Sequence, residues 1–127
     1  MTKDKVIEQA FKIVLDSYKI LELAKRKDKD IFDILYNWVD RISLNDPSLI
    51  KKIKDFAVES KRNILDPSVV QLAKDLAYGN VSYYVTEAVE RAVPDLLERE
   101  LHLSSYDARQ LWLEIDKKVL DETGFKY

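Results

Sequence analysis

His102 is the only histidine of the chain, and there is no cysteine. An imidazole can act as acid, base or metal ligand, but each of these roles needs companions. A zinc site needs three or four His, Cys or carboxylate ligands, and the sequence around His102 supplies none in a recognisable spacing. Carboxylate-bridged di-iron bundles use Glu-x-x-His, and the residue three before His102 is Arg99. Ser104 and Ser105 would be the nearest nucleophiles for a Ser-His-Asp relay. A serine just ahead of an amphipathic run is better explained as a helix cap. Two isolated glycines cannot build a phosphate-cradling loop. The absence of cysteine excludes disulfides, thiolate metal sites and cysteine nucleophiles. The 23 acidic residues single out no pair for acid–base work. No catalytic residue, metal ligand or cofactor is assigned, and the chain reads as non-enzymatic.

Two other patterns could support binding. Lys51, Lys54, Lys61 and Arg62 fall on one side of an expected helix, with the basic corner Lys25-Arg26-Lys27 and Lys29 earlier in the chain. Such a face could neutralise a few phosphates and bind nucleic-acid backbone without reading sequence. Tyr106, Leu113 and Leu120 recur every seven residues opposite the core side of the last expected helix. Left in water, they would form an apolar line of the kind that meets a protein partner. The segment Leu97 to Trp112 resembles a helix-turn-helix in outline. Glu98 stands where that motif wants a small residue, His102 where it wants glycine, and the second helix is acidic rather than basic.

The elements that position these residues centre on a doublet. Asp46-Pro47-Ser48-Leu49-Ile50-Lys51-Lys52-Ile53-Lys54-Asp55-Phe56-Ala57 recurs as Asp66-Pro67-Ser68-Val69-Val70-Gln71-Leu72-Ala73-Lys74-Asp75-Leu76-Ala77. Each copy opens with an Asp to accept from free amides and a Pro that has no amide to satisfy. Two helices, about 47–62 and 67–78, are therefore expected to form an antiparallel hairpin. Gly79 suits the end of the second. Leu72 replaces Lys52, which suggests that the second copy is the more buried.

Before the hairpin, Ile7, Phe11, Val14, Tyr18 and Leu21 predict a first helix from Lys3 to about Arg26. A second line of Val6, Ile13 and Ile20 widens its apolar arc, so it is either central or facing a partner. A helix over about 31–43, capped by Asp28 or Asp30, follows. After the hairpin, a fifth helix over about 81–101 is expected behind Asn80, kinked or split at Pro94. The longest stretch without a charge runs from Leu76 to Thr86. Ser104, with Asp107 three residues on, opens a last helix over about 105–122, ended by Thr123-Gly124.

The expectation is an all-α protein, a single compact bundle of about six helices in one domain spanning 1–127, built around the hairpin at 47–78. Its expected role is a small interaction or assembly subunit that uses apolar stripes on its terminal helices to meet a protein partner or itself. A nucleic-acid-binding accessory subunit is the alternative. The start of the chain lacks a signal-peptide core, and no apolar stretch is long enough for a membrane span, so a cytoplasmic location is expected. Thirty-five per cent charged residues with few amides resemble the usage of hyperthermophile proteins. Residues 1–65 carry 14 basic and 11 acidic side chains, a balance of +3; residues 66–127 carry 7 and 12, a balance of −5.

Overall fold

The computed structural model describes residues 2–126; the expected domain limits, Met1 and Tyr127, lie outside that range. Among the described residues the chain is all-α. Its helices are α1 (Lys3–Lys25), α2 (Ile31–Trp38), α3 (Pro47–Leu65), α4 (Gln71–Leu101) and α5 (Ser105–Thr123), with a short 3-10 turn, Val39–Arg41, after α2. The count is five rather than six because the fourth and fifth expected helices are one.

The two copies of the doublet part ways at their first turn. In the first, the Asp46 carboxylate accepts from the Leu49 amide at 3.0 Å and Pro47 sits in the first turn of α3. Leu49, Ile53 and Ala57 then become core. In the second, the Asp66 carboxylate accepts from the Ser68 amide at 2.8 Å and from the Ser68 hydroxyl at 2.7 Å. That closes a local turn, with the Val69 amide on the Asp66 carbonyl. Val69 replaces Leu49, and its β-branched side chain is poorer in a helical first turn. Val70 is left exposed, so burial does not draw the helix forward. Accordingly α4 begins only at Gln71, and no side chain caps it.

Once started, α4 does not stop at Gly79, and Asn80 is not a cap. Glycine costs roughly 1 kcal/mol in a helix interior and proline about 3. Both costs are outweighed by burial on either side: Ala77, Tyr78, Val81, Val85, Ala88, Val89, Ala92, Val93, Leu96 and Leu97 are all core. The helix is therefore continuous through Gly79, where an end was expected, and is not split at Pro94. It ends at His102, which takes the left-handed conformation at φ 54°. The imidazole position is thus a helix end. Ser104 does cap α5, accepting from the Asp107 amide at 3.1 Å, and Gly124 closes it at φ 65°. Asp30 makes no capping bond to α2, whereas the Asp28 carboxylate accepts from the Asp30 amide at 2.9 Å.

α1 is central. Val6, Ala10, Ile13, Val14, Tyr18, Ile20, Leu21 and Ala24 are buried, and α1 packs against α2, α4 and α5, most extensively α4. Its wide apolar arc is therefore core. The Tyr18 hydroxyl donates to Asp116 at 2.7 Å, joining α1 to α5. A run of rings joins α2, α3 and α4. Phe32 lies 6.1 Å from Phe56 and 5.3 Å from Tyr78, Phe56 lies 4.3 Å from Tyr84, and Tyr84 lies 5.2 Å from Tyr83. No helix among the described residues is long and apolar enough to cross a membrane.

The Asp46 cap yields a pH prediction. The Leu49 amide holds its carboxyl below the ordinary value of 3.8, against the opposing effect of desolvation, and Arg91 lowers it further at 2.6 Å. A depressed folded value means that the cap stabilises above the unfolded value and that this contribution is lost as pH falls through the folded one. Asp46→Ala should lower the melting temperature at pH 7. The gap to wild type should close as pH drops below about 3.8; a gap independent of pH would contradict the assignment.

Candidate interaction surface

The four cations of α3 expected to contact nucleic acid, Lys51, Lys54, Lys61 and Arg62, do not form a free basic face. Lys51 pairs with Asp55 at 2.6 Å, Lys54 with Asp40 at 2.7 Å and Lys61 with Asp33 at 2.8 Å. The Asp40 carboxylate, despite some desolvation, raises the Lys54 ammonium above its usual range, and Lys54 also lies 4.8 Å over the Tyr36 ring. Each pair cancels field that a phosphate would feel, and Arg62 is the member left without an ion pair among the described residues. Lys27, in the corner, is engaged by Asp75 at 2.8 Å.

The line on α5 is divided. Tyr106 is 71% exposed and Leu113 is 42% exposed, whereas Leu120 packs against the core. Gln110 and Lys117 share the strip with the two exposed residues, both open to water. The structure therefore keeps two of the three expected residues on the surface, within a mixed polar setting.

The larger apolar surface lies on α4. Leu72 is 70% exposed, Leu76 57% and Tyr83 58%. Leu72 is thus the reverse of the buried residue that its place in the doublet suggests. The buried set, centred on Val81, Val85, Ala88 and Ala92, occupies one side of the helix. At 100° per residue, Leu72, Leu76, Gly79, Tyr83 and Thr86 fall within a strip on the opposite side. Ala73 and Asn80 flank it, and all seven positions are exposed. None is charged. The spacing is four, three, four, three, the interval of a seam that meets another helix.

Gly79 sits in the middle of that seam. A β-carbon added there would meet nothing within 4 Å, so packing within the chain does not require glycine. Its bare backbone forms one wall of a groove of about 300 Å³ shared with Leu21, Ala24, Tyr78 and Phe125 and rimmed by Lys27 and Asp75. Lys27, with Gln71 adding to it, holds the Asp75 carboxyl below its ordinary range despite some desolvation, so the rim is an ion pair at neutral pH. The sequence signal for this surface was the charge-free stretch from Leu76 to Thr86. Its meaning emerges only when one unbroken helix sorts those residues into an inward and an outward set.

No group of His, Cys, Asp or Glu among the described residues is placed to hold a metal ion. Comparison with family models, with curated proteins and with solved structures gave no match.

Since nothing inside the chain needs the missing side chain, Gly79→Ala should stabilise the fold in dilute solution by up to about 1 kcal/mol, the ordinary helix-interior difference. Urea unfolding measures this. A loss of stability would mean that the glycine serves packing within the chain.

Proposed function

We propose that this chain is a non-enzymatic interaction or assembly protein that docks another protein on the outward face of α4. The observation that carries this reading is the exposed, charge-free seam of Leu72, Leu76, Gly79 and Tyr83 in a chain that is 35% charged. Water-facing helix sides usually carry charge, and a sustained apolar strip marks a place where something else displaces the water. The spacing suits a partner helix laid along α4, with side chains meshing as in a coiled coil. Tyr106 and Leu113 on α5 supply a second, narrower contact, of the kind found where apolar and polar residues mix at an interface rim.

The nucleic-acid reading has less support. Lys51, Lys54 and Lys61 already face carboxylates, so counterion release on phosphate binding would have to break three existing pairs. A site-specific photo-crosslinking residue tests the preferred reading in cells producing the protein. Placed at Leu76 it should give a discrete protein adduct, whereas placed at Lys117 it should give none. Absence of an adduct at both positions would contradict the reading.

A further inference from the structure

A cavity of about 340 Å³ lies between α1 and the 3-10 turn after α2. Its floor is Ile13, Trp38 and Ile42, each no more than 4% exposed. Lys12 from α1 and Arg41 from the turn stand beside it, and Gln9 and Asp16 complete the lining. An apolar floor with a few polar groups around it is the usual form of a small-molecule site.

Three of these residues hold donors that the chain leaves unspent. The indole N–H of Trp38 is buried and has no acceptor. A buried donor without a partner is rare, and a water or an ion is the ordinary source of the missing acceptor. Arg41 makes no hydrogen bond or ion pair among the described residues, so its fork of N–H groups is free. Lys12 lies 3.8 Å from Asp16, beyond hydrogen-bonding distance. Acceptors in the lining are fewer. They are the Asp16 carboxylate and the side-chain oxygen of Gln9, whose nitrogen donates to Ser43 at 3.2 Å. Two cations against one carboxylate leave the lining with a single positive charge.

Trp112 provides the contrast. Its indole N–H also lacks an acceptor, but the cavity that it borders is lined by Glu90 and Asp116 and by no cation. Only at Trp38 do an unspent indole donor and an excess of positive charge coincide.

We infer that the cavity beside Lys12 and Arg41 binds a small organic carboxylate. The two oxygens of a carboxylate match the planar fork of Arg41, and one of them accepts a hydrogen bond from the Trp38 indole. Lys12 adds charge, and the apolar body of the ligand rests on Ile13 and Ile42. A monoanion balances the lining. Phosphate carries more charge at neutral pH and brings nothing apolar to the floor. The site uses no residue of α4 and stands independently of the docking surface there.

Heteronuclear NMR of the Trp38 and Trp112 indole N–H groups tests the assignment. Sodium benzoate is the probe, with benzamide and inorganic phosphate for comparison. Benzoate should shift the Trp38 resonance saturably, with a Kd in the millimolar range, and leave Trp112 in its acidic surroundings unmoved. Benzamide has the same shape without the charge and should bind about tenfold more weakly. Arg41→Gln has no partner within the chain to lose, so it should fold as wild type and weaken benzoate about fivefold. Absence of any Trp38 shift at tens of millimolar benzoate would overturn the inference. So would benzamide binding as tightly as benzoate, equal shifts at Trp112, or unchanged affinity in Arg41→Gln. Tighter binding of phosphate than of benzoate would overturn the carboxylate assignment.

Discussion

The packing of α4 along α1 is the constraint on which the rest of the arrangement depends. The inward line of α4 is built from small and β-branched residues, Ala77, Val81, Val85, Ala88 and Ala92, and α1 contributes Val6, Ala10, Ile13 and Val14 to the same core. Small side chains let two helix axes come close, and a close pair buries nearly all of its facing surface. That burial supports the helix through a glycine and a proline, each of which weakens a helix in isolation. It also fixes which side of α4 faces out. The outward side is then a consequence of the core, and its residue types are free to serve something else.

The other elements are arranged about that pair. α5 closes one side through Ala108, Trp112, Ile115 and Val119 and through the bond from Tyr18 to Asp116. α2 and α3 close another through Phe32 and Phe56, whose rings reach Tyr78 and Tyr84 of α4. Tyr83 is the last ring of that run and the first that lies largely in water. The aromatic contacts thus connect the interior to the seam, with the Tyr83 ring meeting Tyr84 edge-on. The ion pair of Lys27 with Asp75 ties the early turns of α4 to the corner after α1, although few apolar contacts hold them.

Much of this was legible in the residues. The seven-residue lines of α1 gave its wide apolar arc, leaving open whether the chain itself or a partner covers it, and the serine before α5 gave that helix its start, because period and cap are local properties. The repeated Asp-Pro-Ser was misleading for a physical reason. One carboxylate can accept from an amide three residues on and start a helix, as Asp46 does, or from an amide two residues on and close a turn, as Asp66 does. The choice is made by whether the next apolar residues find a core. Gly79 was read as a helix end and Pro94 as a kink or split because their costs are local, whereas the burial that outweighs them is tertiary. Leu72 looked like core for the same reason: apolar type does not say which side of a helix the rest of the chain will cover. The basic face on α3 was visible as residue type, but Asp33 and Asp40, which pair with Lys61 and Lys54, come from α2 and the turn after it and could not be placed beforehand.

The central claim is that the outer face of α4 contributes little to folding and is retained for contact. Urea unfolding of a variant carrying Leu72→Gln, Leu76→Gln and Tyr83→Gln together, in dilute solution, tests it most directly. Surface positions change stability by no more than about 0.5 kcal/mol each, so the midpoint and slope should stay close to those of the wild type. A loss of about 2–5 kcal/mol per site, the range for truncating buried side chains, would show that these residues belong to the core, and the account would fail.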